Sequence, residues 1–432
     1  MIQGRSTHDM PANTSGALDR RRLLGRGLIA AGGIVLASDL AEAQPLAADQ
    51  PLPDPDWSKS LGPGVASRPY GQPSHFEKDV IRRTVPWLTA TQESAISFSP
   101  LQNQTGIITP NGLFFERYHA GRPTVDPAEH RLLIHGMVDR PILLTMEDIQ
   151  RFPSTSRVHF IECPANGGME WRAAQLNSLQ FNHGMISCAE WTGVKLSTLL
   201  AEVGLKRDAS WVLAEGADGA HMDRSLPIDK CLDDCLVVYG QNGEKLRPEQ
   251  GYPLRLVVPG WQGNVNIKWL RRLEIGNQPW FTREETSQYT ELMADGKARA
   301  FTWTIYPKSV VTFPCPENRM RGPGLYEIRG LAWSGKGKVA RVDVSLDGGV
   351  DWMPAQLHEP VLTKALTKFT AEWLWDGKPA LVQSRVTDDT GFVQPTIADL
   401  RASRGVNGIY NNNSIQTWQV KADGAVNDVQ IG

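Results

Sequence analysis

Several things are scarce in this sequence, and each shortage removes a class of function. Its 432 residues carry 45 Lys+Arg against 47 Asp+Glu, a formal net charge of −2, so the broad basic surface that nucleic acid demands is missing. The most apolar stretch near the N-terminus, Leu28 to Ala37, is too short to cross a bilayer, and no membrane span is expected in the mature chain. There is no repeat of fixed period, and the only low-complexity patch is Asn411-Asn412-Asn413. Cysteine is limited to five residues, with neither a C-x-x-C-H haem attachment nor an iron–sulfur spacing, so no haem is expected in this chain.

Glycine, proline and tryptophan are plentiful, at 40, 29 and 14 residues. Scattered through a chain too long for one core, they predict two or three loop-rich domains built of short strands. Residues 1–43 read as an export signal of the twin-arginine type. Arg20 and Arg21 precede Leu23-Leu24 and the short apolar run, and "AEA" at Ala41 to Ala43 offers a cleavage site. An ordinary Sec signal is the alternative; either route predicts a periplasmic protein. Residues 44–100, rich in Pro, Gly and Ser, read as an extended arm.

From residue 101 to 300 the pattern is α+β. "HRLLIHGMV" reads as a strand, "TMEDIQRF" as a short capped helix, and "RVHFIEC" as a strand aimed at Cys163. "KLSTLLAEVGL" reads as an amphipathic helix closed by Gly204, and "LRLVVPG" as a buried strand. From 301 to 432 it turns all-β. In "KVARVDVSLDGGVDW", Val342, Val344 and Leu346 alternate with Arg341, Asp343 and Ser345, which predicts one buried and one wet face in an immunoglobulin-like sandwich.

An odd number of cysteines in an exported protein leaves at least one unpaired, and Cys163 in "HFIECPANGGMEW" is the choice, as a soft thiolate ligand for a transition metal. Cys231 and Cys235 in "CLDDC" fit no zinc pattern and read as buried thiols or a disulfide. One thiolate cannot hold a metal alone, so the other ligands must come from a cofactor. Arg117 and His119, at alternate positions of "FFERYHAGRPTVD", can share a face; Arg255 sits inside an apolar strand and Lys268 follows a Gly-rich turn. Together they point to a buried anion that offsets the desolvation of an arginine.

The blocks "FERYH", "ECPAN", "EGAD", "YPLRLVVPG" and "NIKWLRRLEI" resemble, in order, those of the sulfite oxidase family of molybdopterin enzymes, and "VDVSLDGGVDW" resembles that family's dimerisation domain. The resemblance implies a molybdenum-molybdopterin cofactor with Cys163 as metal ligand. It further implies that Arg117, His119, Asp218, Arg255, Asn266 and Lys268 contact the pterin or its phosphate. Tyr289, in "ETSQYTELMADGKAR", would face the substrate, with Arg117 beside it as the second catalytic residue. Two departures stand out. Gly167 and Gly168 occupy a turn where sulfite-oxidising members carry arginine, and "AEWLW" offers Trp373 where a second arginine is expected.

Losing charge-assisted contacts of about 1.5–3 kcal/mol each weakens a site for a small dianion, and glycine is expected to open space. Such a pocket suits a sulfur on the end of a longer chain, as in the family's sulfane dehydrogenase branch. The implied reaction is oxygen-atom transfer to a sulfane held on a carrier-protein cysteine, with electrons leaving to a separate c-type cytochrome subunit. The implied assembly is a homodimer of this subunit within a hetero-oligomer. A sulfite dehydrogenase acting on free sulfite and a non-enzymatic binding module are the alternatives.

Overall fold

The structure is a computed structural model that describes residues 55–60, 71–85, 88–89, 91 and 93–431. The export signal and most of the arm lie outside the described residues. The chain divides into a unit ending at Gln72, in which Asp56–Lys59 form one 3-10 turn, and a second unit, Pro73–Gly432, which holds everything below.

Two five-stranded sheets build the first half of the large unit. One is antiparallel and runs Glu244–Lys245, Leu236–Gln241, Ile186–Lys195, Ser154–Glu162, with Arg255–Val257 also paired to Leu236–Gln241. Ser154–Glu162 begins exposed and ends buried at Phe160–Glu162, so it delivers Cys163 into the interior. The other runs Ile142–Thr145, Arg131–Gly136, Leu270–Gly276, Trp211–Gly216, Asp223–Pro227, with one parallel pair between Arg131–Gly136 and Leu270–Gly276. A three-stranded ribbon places Ala95–Phe98 between Arg83–Thr84 and Arg117–Tyr118.

The short helices form for local reasons. Met146–Arg151 starts in a capping box between Thr145 and Asp148. Leu196–Val203 buries Leu196, Leu199, Leu200 and Val203, one face at helical spacing, and stops at Gly204 with φ +67°. All five cysteines are unpaired and buried, so Cys231 and Cys235 are thiols in the core of the second sheet. Among the described residues no helix is long and apolar enough to cross a membrane.

The second half is an antiparallel sandwich. A four-stranded sheet (Lys308–Phe313, Gly324–Trp333, Thr367–Trp375, Gln356–Leu357) packs on a five-stranded one (Met353–Pro354, Val339–Ser345, Ala380–Asp388, Thr417–Val420, Val426–Val429). Val342 and Val344 face its core as anticipated and Arg341 is exposed, but the rest of the opposite face is not wet: Asp343 and Ser345 are only 3% and 1% exposed. The reason is pairing. Asp343 is held by Arg341 at 2.7 Å and Arg385 at 3.4 Å, and Ser345 Oγ donates to Asp347 and accepts from Gly349 N–H. Trp373 is buried within the sandwich. The core is continuous with the first sheet, since Phe160, Ile186 and Cys188 pack in the same cluster as Trp333 and Val310.

Candidate active site

All eight residues singled out above, Arg117, His119, Cys163, Asp218, Arg255, Asn266, Lys268 and Tyr289, line one cleft with about 700 Å³ of empty space. They arrive on several elements: Arg117 on the ribbon, Cys163 past the end of Ser154–Glu162, and Arg255 at the start of a strand buried along its whole length. Lys268 stands before Leu270–Gly276, where Gly251, at φ +105°, lets the two backbones approach: a Cβ there would lie 3.0 Å from the Lys268 Cα.

Three cations without carboxylate partners set the electrostatics. Lys268 Nζ donates to the carbonyls of Arg117 (3.1 Å) and Glu249 (2.8 Å) and sits 5.4 Å from the rings of Tyr118 and Trp269. Arg255 donates to the carbonyls of Gln250 (2.9 Å) and Asn266 (3.2 Å), while its buried Nε has no partner. Arg117 spends its donors on the carbonyls of Ala95 and Tyr118 and on His119. Among the described residues none of the three makes an ion pair. Burial lowers the Lys268 pKa to about 7, with Arg255 adding repulsion, and burial alone lowers that of Arg255 to about 9. Cations held this way are costly unless an anion arrives.

A relay fixes one tautomer. Arg117 can only donate, so His119 Nδ1, 3.0 Å from Nη2, must accept. Burial and the Arg117 charge lower the His119 pKa to about 4 and keep the ring neutral. Its Nε2–H therefore donates to Tyr289 Oη at 2.9 Å, and the phenol proton is free to serve a ligand in the cleft. Burial also raises the Tyr289 pKa, so the phenol stays a donor. Tyr289 itself is strained, at φ +49°. Asn266 and Asp218 shape the walls through the backbone: Asn266 Oδ1 accepts from Val258 N–H, and Asp218 Oδ1 from Met222 N–H.

The donor set fits an anionic pterin with a metal at its end. An unpartnered arginine nitrogen and three unpaired cations ask for phosphate, and burial, which pushes the Cys163 thiol up, disfavours the thiolate until a metal cation compensates.

The two glycines do not open the cleft. A Cβ on Gly168 would sit 2.3 Å from the Ile409 carbonyl oxygen, and one on Gly167 2.8 Å from Lys308 Nζ. Both positions face the packed junction with the sandwich, where small size is needed for closeness. Several neighbours escaped the sequence reading. Arg224 lies over the Tyr289 ring at 5.4 Å and pairs with Glu285, and Tyr410 meets the Tyr289 ring at 5.3 Å. Arg404 pairs with buried Glu291, two residues past Tyr289. The signal was available only for Arg224, a charge in the otherwise buried centre of a short strand.

Residues 119–283 match the oxidoreductase molybdopterin binding domain family, and 299–418 the Mo-co oxidoreductase dimerisation domain. The sulfite oxidase of Gallus gallus is 33% identical over 328 residues, 69% of this chain and 71% of that one. Mitochondrial sulfite oxidase of Mus musculus is 29% identical over 374 residues, 80% of this chain and 67% of its own. For the Rattus norvegicus enzyme the match spans 59% of its length. Among solved structures, the sulfane dehydrogenase SoxCD from Paracoccus pantotrophus superposes with TM-score 0.86 at 51% identity, covering 87% of this chain and 97% of that one.

Proposed function

The chain belongs to the sulfite oxidase family of molybdopterin oxidoreductases that oxidise sulfur, and on that premise we propose that its substrate is a sulfane sulfur held on the cysteine of a carrier protein. The observation that carries this reading is the 51% identity to a sulfane dehydrogenase over 97% of its chain, against about 30% to the sulfite oxidases. The charge distribution supports it. Near Tyr289, Arg224 is tied to Glu285 and Arg404 to Glu291, so among the described residues these two arginines are not free to clamp a small dianion beside Arg117.

Cys163 would hold the molybdenum, while Arg255, Lys268, Asn266, Asp218 and His119 would hold the pterin and its phosphate. Bound there, the group supplies oxygen-atom transfer to sulfur and takes up the two electrons released. The protein's part is positional. Tyr289 offers its phenol proton to the oxygen or sulfur of the reacting group, and Arg117 holds His119 in the tautomer that leaves that proton free. We further propose export to the periplasm through the twin-arginine signal, dimerisation through the sandwich, and electron delivery to a c-type cytochrome subunit.

The test compares turnover of the purified molybdenum-loaded protein on a carrier-protein persulfide and on free sulfite. Preference for the persulfide is the expected result; preference for sulfite overturns the substrate reading. Changing Arg20 and Arg21 to Lys should strand the protein in the cytoplasm, read by fractionation.

A further inference from the structure

We propose that the sandwich supplies a positioning residue to the site: Trp333, which orients Cys163 through the Glu162 carboxylate. The inference rests on the reading of Cys163 as the metal ligand. Trp333 ends the strand Gly324–Trp333 with its ring wholly buried. The ring is in the sandwich core, but its Nε1–H leaves that core and donates to Glu162 Oε2 at 2.7 Å. The other carboxylate oxygen accepts from Asn166 Nδ2 at 2.8 Å.

From there a closed circuit surrounds the cysteine. Asn166 Oδ1 accepts from Met185 N–H (3.1 Å), Met185 O accepts from Cys163 N–H (3.0 Å), and Cys163 O accepts from Asn166 N–H (2.9 Å). Cys163 thus has both backbone polar groups inside a ring of bonds anchored on the sandwich by one indole. The exit of the same turn is clasped from the same side: Asn411 N–H donates to Pro164 O, Asn412 Nδ2 to Gly167 O, and Lys308 Nζ to Asn412 O.

Packing alone does not account for the arrangement. Phenylalanine would fill most of the ring space of Trp333, and an apolar side chain would fill that of Glu162, only 5% exposed, without the desolvation of a carboxylate. What the pair adds is direction. Two donors fix the two oxygens, and those oxygens fix the turn that carries the thiol, the task of groups that support a metal ligand.

The experiment uses the full-length, cofactor-loaded protein. Trp333→Phe keeps most of the ring and removes the donor. Molybdenum per chain should stay at the wild-type level, while the electron paramagnetic resonance spectrum of the metal shifts and kcat falls roughly tenfold with KM within about twofold. Glu162→Gln should give a similarly shifted spectrum, because the amide nitrogen that replaces one carboxylate oxygen cannot accept from the donor facing it. In that background Trp333→Phe should add less than about twofold further loss. Trp375→Phe removes an equivalent bond inside the sandwich, from Nε1 to Lys378 O at 2.7 Å, and should leave the spectrum unchanged.

A molybdenum-replete Trp333→Phe protein with wild-type spectrum and kcat overturns the proposal, as do independent, multiplicative losses in the double variant. If Trp333→Phe does not accumulate folded, a wild-type spectrum in Glu162→Gln overturns it equally. A wild-type chain that never acquires molybdenum refutes the functional reading instead.

Discussion

The two sides of Cys163 treat buried charge in opposite ways. Toward the cleft, Arg117, Arg255 and Lys268 are held by carbonyls and ring faces, and none is neutralised. Toward the sandwich, buried Arg404 is paired with Glu291. An unpaired buried cation is a standing cost, which pairing and hydrogen bonding offset at least in part. At the junction the charge of Arg404 is therefore met within the protein, and in the cleft the charges await an anion.

That contrast can be broken or sharpened by substitution. The largest effect should come at the seam: Cys163→Ser swaps a soft thiolate for a poorly ionised hydroxyl, and activity should fall more than about a thousandfold while the circular dichroism spectrum is kept. A fully active, molybdenum-replete variant would remove the metal-ligand assignment. Next comes a pair of variants that should part company. Glu291→Gln leaves Arg404 buried without its counter-charge and should cost about 3–5 kcal/mol in denaturant unfolding whether or not cofactor is bound. Arg255→Met should be neutral or stabilising in the cofactor-free chain and lower cofactor retention about 10–100-fold. Equal destabilisation of the cofactor-free chain by both would erase the distinction.

Lys268 gives the same contrast a pH dependence. Its pKa is lowered from 10.5 to about 7 in the folded cofactor-free protein, so between those values the unfolded chain binds the extra proton. Stability of that form should rise as pH climbs from 7 to 10.5 and fall as pH drops back through the window, by on the order of 5 kcal/mol. Below pH 7 both states are protonated and the slope vanishes. Lys268→Met should flatten the curve, as should bound cofactor phosphate, which restores the lysine's preference for charge; denaturant midpoints across the window decide. The smallest effect belongs to Gly168→Arg. It should cost about 1–3 kcal/mol in thermal unfolding by overpacking the Ile409 backbone, without shifting preference toward sulfite. A stable variant with raised sulfite turnover would show that the glycine does face the cleft.

Much of the cleft could be read in advance because its signals are local. A cysteine closing a strand, arginine and histidine at alternate positions, and an arginine inside an apolar strand are patterns within a few residues, and the cleft gathers all of them. The wet face assigned to Asp343 and Ser345 failed for the complementary reason. Strand alternation says which residues share a face, but Arg385, 42 residues away, decides whether that face is covered.

By itself the sequence determined the class of fold, a mixed sheet domain followed by a sandwich, and that Arg117, His119, Cys163, Arg255 and Lys268 belong to one site, while Asp218, Asn266 and Tyr289 came only through the family resemblance. Periodicity, capping and strand-end placement act over one or two turns of chain, and those distances are written in order along it. Only the tertiary structure decided that Gly168 meets a backbone carbonyl instead of open space. It alone decided that Trp333 reaches Glu162 across 171 residues, and that the cleft cations lack the carboxylate partner that Arg404 possesses. Pairing and closeness of that kind depend on which surfaces are brought face to face, and hydrogen bonds and excluded volume act over a few ångströms of space regardless of separation along the chain.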